Sequence, residues 1–168
     1  MGVKKNNMEN KKIVWIDMDG VLVDFGGNLD KWLKNNRNLV HIYKRFPDRI
    51  PGIFRNPEPV EGAIDAIQKL DDSDLYDLRI LTTAPWGNPE SMADKRYWIE
   101  KYFGQIFYKK ITITHSKDLV IGDYLIDDRL ANGAKDFKGE LIRFGWDYEN
   151  ELWNEYPGWD NVLDKLLD

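Results

Sequence analysis

The chain has 168 residues, 42% of them apolar and 32% charged, with a net charge of −5 and no cysteine. That length suits one domain with room for an insertion. The missing thiols exclude disulfides, cysteine-based zinc sites and thiol catalysis, and the acidic balance argues against a nucleic-acid polymer as partner. With only His41 and His115, a histidine-based transition-metal site is also a poor fit. No apolar run approaches the ~20 residues that span a bilayer, so no membrane is expected. Residues 1–12 are Lys- and Asn-rich without an apolar stretch, and read as a disordered lead-in rather than a secretory signal. The expected compartment is the cytoplasm.

In chain order, the first element is the run Ile13-Val14-Trp15-Ile16, which stops at Asp17 and continues into Met18-Asp19-Gly20. A short apolar run ending in polar residues and glycine predicts a buried parallel strand. Groups at the carboxyl ends of such strands line the ligand crevice of open α/β sheets, which is where Asp17 and Asp19 are expected. The motif alone is thin. With 20 Asp in the chain, Asp-x-Asp-Gly arises by chance in roughly one such sequence in five.

Residues 23–59 differ in character from the rest of the chain. Two short helical pieces, 28–36 and 39–46, lead into Pro47, Pro51, Pro57 and Pro59, which break the chain repeatedly. About 35 residues is long for a connection in an α/β unit. The segment 25–59 is therefore expected to be a small helical cap, inserted into a core made of 13–24 and 60–168.

Val60, Ala63, Ile64, Ile67 and Leu70 form a helical stripe that ends in Asp71-Asp72-Ser73-Asp74. A strand is predicted over 76–83, stopped by Ala84-Pro85-Trp86-Gly87. Asn88 is the expected N-cap of the next helix, with Pro89 at its first position and Gly104 after its end. Further strands are predicted over 110–114, 124–126 and 140–144. Asp160 is the expected cap of a last helix carrying Val162, Leu163, Leu166 and Leu167. The acidic, aromatic stretch 145–158 receives no assignment. Strands alternating with helices predict a three-layer α/β fold around a parallel, Rossmann-like sheet.

Four strand ends then share one rim and carry Asp17 and Asp19, Thr82 and Thr83, Lys117, and Asp127 and Asp128. Two carboxylates ~4 Å apart repel by about 4 kcal/mol at an effective dielectric of 20, and one lysine does not offset four of them. A hard divalent cation with oxygen ligands does, and Mg²⁺ suits a site with few carboxylates. Such a rim attracts phosphate, with Lys117 as a point charge and Thr82 and Thr83 as hydroxyl donors. A carboxylate beside the phosphate can attack it, and a second can move the leaving-group proton.

Taken in order, Asp17 to Leu22 (DMDGVL), the apolar run ending at Thr82, Lys117, and Asp127-Asp128 resemble the four motifs of the haloacid-dehalogenase-like (HAD) phosphohydrolases. The likeness is greater still to the 5′(3′)-deoxyribonucleotidase family (5′-nucleotidase type C). It rests on Asp17 to Phe25 (DMDGVLVDF), Thr82-Thr83-Ala84-Pro85, Lys95 to Gly104 (KRYWIEKYFG) and Lys117 to Arg129 (KDLVIGDYLIDDR). The resemblance implies a phosphatase of nucleoside monophosphates, with Asp17 as nucleophile and Asp19 as acid and base. It also implies Mg²⁺ held by Asp17, the Asp19 carbonyl and Asp127, and Asp128 is expected to order the water around the metal.

Phe25, Phe54 and Trp86 are candidates to hold base and sugar, with ordinary cap-to-core packing as the competing explanation. Gly122-Asp123 offers a second aspartate for the metal, but Tyr124-Leu125-Ile126 delivers Asp127 to a strand end instead. Two departures stand out: Thr83 in place of an expected serine, and a cap shorter than in animal relatives. Alternatives at this stage are a phosphatase for sugar phosphates or phosphoglycolate, a phosphotransferase, and a phospho-accepting or binding module. A homodimer stays open as an assembly.

Overall fold

The computed structural model describes residues 11–168. Residues 1–10 of the expected lead-in lie outside the described residues. Lys12 opens the first strand, and Lys11 is ion-paired with Asp74.

Five parallel strands form one sheet: β1 (Lys12–Ile16), β2 (Tyr76–Thr82), β3 (Ile111–Ile113), β4 (Tyr124–Asp127) and β5 (Glu140–Arg143), in the order β3-β2-β1-β4-β5. β1 is central, with Val14 opposite both Leu78 of β2 and Tyr124 of β4. Because side chains alternate along a strand, Val14 and Ile16 enter one core while Trp15 enters another. The larger core is built with α3 (Ala63–Asp72), α4 (Ser91–Phe103) and α5 (Trp159–Leu167). The third layer is thinner. There Ala134 and Phe137 cover Trp15, Leu81 and Leu125, and the Trp15 indole donates to the Ile121 carbonyl. Among the described residues, no helix is long and apolar enough to cross a membrane.

The insertion after β1 carries α1 (Phe25–Asn35), a four-residue α2 (Val40–Tyr43) and 3₁₀ turns at Arg37–Leu39 and Pro47–Arg49. Its two ends are tied by backbone hydrogen bonds, Asp24 N to Glu58 O and Val60 N to Leu22 O. Ile50, Ile53 and Phe54 give it a core of its own, against which Phe25, Leu29, Trp32 and Tyr43 pack. Arg55 pairs with Asp94 and Glu90 of the α4 region, and the Trp98 indole donates to the Pro57 carbonyl.

Three local expectations change. Asn88 does not cap α4, which starts three residues later. Its amide donates instead to the Asp48 and Ile50 carbonyls of the insertion, at 3.0 and 3.2 Å. Tertiary partners override the capping signal. Asp160 is not the cap of α5, because Gly158 holds that position and its N–H donates to the Asn161 side chain. The unassigned 145–158 stretch contains an antiparallel hairpin, β6 (Trp146–Asp147) and β7 (Leu152–Trp153), whose two-residue strands are too short for any periodicity to show.

Candidate active site

The turn after β1 places the first two carboxylates. The Asp17 N–H donates to the Ile126 carbonyl, so the β1–β4 ladder continues one residue past the strand. Met18 then accepts from the N–H groups of Val21, Leu22 and Val23, which folds the chain sharply back. Gly20 makes this possible. Its φ of +80° favours glycine, and a Cβ there would collide with the Asp128 carboxylate.

Asp17, Asp127 and Asp128 are all buried, and each offers a carboxylate oxygen within 4.8 Å of the others. Lys117, also buried, bridges two of them, 3.0 Å from Asp17 Oδ1 and 2.7 Å from Asp127 Oδ2. Burial opposes its charge, but Asp17 and Asp127 outweigh that and hold the ammonium above the ordinary lysine pKa. Burial first, and then the charge of Asp17, push the carboxyls of Asp127 and Asp128 upward. Asp123 sits at the far end of β4, where its carboxylate accepts from the Ile13 N–H. It is a structural residue remote from this cluster.

Asp19 has a partner that motif reasoning missed. Lys95, on α4 and 1% exposed, donates to Asp19 Oδ2 at 2.8 Å, Thr82 Oγ1 at 2.9 Å and the Thr83 carbonyl at 2.6 Å. Those three bonds use all three protons of the ammonium, and the Phe54 ring lies 4.9 Å from it. A signal did exist: Lys95 precedes the buried Trp98 and Ile99 by three and four residues, so it lies on the apolar face of its helix. The Asp19 side chain stays 33% exposed. Burial still raises its pKa, with Lys95 pulling the other way.

These groups line a cavity of about 1290 Å³ whose walls include Asp17, Asp19, Thr83, Lys117, Asp127 and Asp128. Thr82 is fully buried and does not line it, since its hydroxyl is turned to Lys95. The Thr83 hydroxyl donates to the Thr114 carbonyl at 2.9 Å. Phe25 and Phe54 line the insertion side of the cavity and stack on each other at 5.4 Å and 24°. Phe54 is itself buried, whereas Trp86 stands at the rim with 86% of its surface exposed.

The donor set fits a divalent cation. Four carboxyl groups (Asp17, Asp19, Asp127, Asp128) face two ammonium groups (Lys95, Lys117), so full ionisation of the cluster leaves two negative charges for a cation to neutralise. Asp19 Oδ1 and Asp128 Oδ1 are buried without a hydrogen-bond partner, and leaving such atoms unsatisfied is costly. An all-oxygen cluster suits a hard ion.

Residues 27–166 match the family model described as 5′ nucleotidase, deoxy (pyrimidine), cytosolic type C protein. The chain belongs to this family. A Vibrio phage KVP40 protein, provisionally assigned as a 5′(3′)-deoxyribonucleotidase, is 45% identical over 160 residues, covering 94% of this chain and 85% of that one. The human cytosolic-type 5′(3′)-deoxyribonucleotidase is 30% identical over 140 residues, covering 69% of this chain and 70% of that one. The fold is that of the haloacid-dehalogenase-like hydrolases. SP0104 of Streptococcus pneumoniae superimposes with a TM-score of 0.56 at 12% identity, covering 95% of this chain and 92% of that one. The HAD hydrolase YfnB of Bacillus subtilis, solved bound to magnesium, gives 0.54 at 11% identity, covering 94% and 99%. The 5′-nucleotidase type C match begins at residue 27. Asp17 and Asp19 lie ahead of it, but inside the 94% of the chain that the phage relative covers.

Proposed function

We propose that this chain is a Mg²⁺-dependent phosphatase of deoxyribonucleoside monophosphates that works through Asp17. The observation carrying the proposal is the buried Asp17–Asp127–Asp128 cluster bridged by Lys117, with Lys95-paired Asp19 beside it, at the carboxyl ends of the central strands. The names of the phage and human relatives support the substrate class.

Asp17, Asp127 and the Asp19 carbonyl would hold the metal, with Asp128 ordering its water. When bound, it supplies charge neutralisation at the phosphoryl oxygens. Lys117 already bridges Asp17 and Asp127 and so places a fixed positive charge where a phosphate enters. The Asp17 carboxylate attacks phosphorus as the bond to the nucleoside oxygen breaks. Asp19 gives its proton to that oxygen, leaving an acyl phosphate on Asp17 and a free nucleoside. Asp19, now a carboxylate, takes a proton from water as the water attacks phosphorus. Phosphate leaves, Asp17 is again a free carboxylate, and Asp19 again carries the proton it began with. Proton transfer of this kind contributes about 10²–10⁴-fold. Lys95 fixes Asp19 and the Thr82 hydroxyl in place, and Thr83, which lines the cavity, stands at the β2 end of the phosphate site.

Residues 25–59 act as the cap, with Phe25, Phe54 and Trp86 offering rings to base and sugar. A base stacked on an aromatic side chain gains about 1–3 kcal/mol, which favours a nucleotide over a bare sugar phosphate by roughly 5- to 150-fold. Burying a ribose 2′-hydroxyl against apolar rings costs something on the order of 1–3 kcal/mol, so the deoxy substrate is preferred. The test compares kcat/KM for dUMP or dTMP with UMP and glucose 6-phosphate, in Mg²⁺ and in EDTA. The expected order is deoxynucleotide, ribonucleotide, sugar phosphate, with all activity lost in EDTA. Equal rates on the three classes would return the chain to a general small-phosphate phosphatase.

A further inference from the structure

The cavity is larger than the ~300–1,000 Å³ of ordinary small-molecule sites, and one of its walls comes from the β6–β7 hairpin. That hairpin is firmly built. The Asp147 carboxylate accepts from the Glu149 and Asn150 N–H groups, the Asn150 amide and Arg143. Buried Asn154 donates to the Phe144 carbonyl at 2.9 Å and the Asp128 carbonyl at 3.3 Å, and Trp146 meets Trp153 edge-on at 5.2 Å. The loop between the two strands carries Tyr148, which lines the cavity together with Phe25 and Gly26 of α1.

The Tyr148 hydroxyl lies so near α1 that a Cβ on Gly26 would come within 2.8 Å of it. The ring therefore reaches from the sheet side to the insertion side of the cavity mouth. Although 71% of its surface is exposed, partial burial first, then Asp24, Asp128 and Asp30, raise the phenol above its ordinary pKa, and like any unionised phenol it is a neutral ring at neutral pH. A neutral aromatic wall here repels no phosphate and offers its face to a flat group.

We propose that Tyr148, whose hydroxyl lies against Gly26, is a specificity-determining residue that shares with Phe25 the wall holding the nucleoside part of the substrate. This rests on the deoxyribonucleotide reading above. It adds a contact from the β6–β7 hairpin to the Phe25, Phe54 and Trp86 rings of that reading. The phosphate end of the site does not depend on it, because the Lys117, Asp17 and Asp127 contacts involve no hairpin residue.

The experiment measures KM and kcat for a deoxyribonucleoside monophosphate, and the inhibition constant of inorganic phosphate, in wild type and three variants. Tyr148→Ala is expected to raise KM about 5- to 30-fold, as for loss of one stacked ring, with the phosphate inhibition constant moving less than about twofold. Tyr148→Phe, which keeps the ring, recovers most of that loss. Gly26→Ala, which helix propensity favours, displaces the ring without removing it and raises KM in the same direction. A wild type inactive on every deoxynucleotide would overturn the functional reading and this proposal together. An active wild type would overturn this proposal alone if Tyr148→Ala and Gly26→Ala kept its KM, or weakened phosphate inhibition to the same extent.

Discussion

Asp17→Asn abolishes turnover while the fold survives. The carboxamide is isosteric but is not a nucleophile, and removing a nucleophile from a concerted site costs on the order of 10⁴–10⁶-fold. Stability moves the other way. Asp17 repels the two buried carboxylates Asp127 and Asp128 and attracts one ammonium, Lys117. Above the raised pKa values of those two carboxyls, about 7 and about 9, neutralising Asp17 removes two repulsions for one attraction, so Tm in EDTA at alkaline pH holds or rises. Proteins commonly gain stability when a crowded charge at a functional site is removed. Measuring kcat and Tm on the same preparations checks both halves. Residual activity above about 1% of wild type would be too much for a substituted nucleophile.

Lys95→Met is expected to harm both activity and stability. It leaves the Asp19 carboxylate, the Thr82 hydroxyl and the Thr83 carbonyl without the donor that serves all three. Breaking a buried ion pair by removing one partner costs about 3–5 kcal/mol. The lower end applies here, because a third of Asp19 remains exposed. For a chain of this length that lowers Tm by about 6–12 °C. Activity falls about 10²–10³-fold, because the acid–base residue loses its fixed position. Adding Asp19→Asn to Lys95→Met recovers part of the stability, since the two share one interaction, and recovers no activity. A double variant as unstable as the sum of the singles would break the coupling.

The parts of this fold that the sequence displays are those with local causes. β1 and β4 show as short apolar runs because both their faces are buried, β2 shows through Leu78, Ile80 and Leu81, and each ends at the polar group it delivers: Asp17, Asp127–Asp128 and Thr82–Thr83. The hidden parts depend on distant partners. Lys95 acquires its role only when α4 packs under the turn after β1, 76 residues away from Asp19 in sequence. Thr82 reads as a phosphate donor because it ends a strand, but its hydroxyl is turned to that same lysine. Asn88 carries a true capping signal that the insertion's carbonyls capture. The hairpin at 145–158 rests on one Asx-type turn at Asp147 and one tryptophan pair, neither of which has a repeating pattern to read.

The insertion is bound to the core at several separate points: Arg55 on Asp94 and Glu90, Asn88 on Asp48 and Ile50, and Trp98 on Pro57. An insertion fixed this way presents Phe25 and Phe54 in one arrangement, so the proposed selectivity would come from preformed walls more than from closure.

The most direct test of the mechanism is to mix the enzyme with a deoxyribonucleoside monophosphate carrying radiolabelled phosphate, quench in acid within the first turnover, and locate the label. Label is expected on Asp17, as an acyl phosphate that borohydride reduces to homoserine at that position, and none in Asp17→Asn. Protein free of label during active turnover, or label on any other residue, would contradict the mechanism.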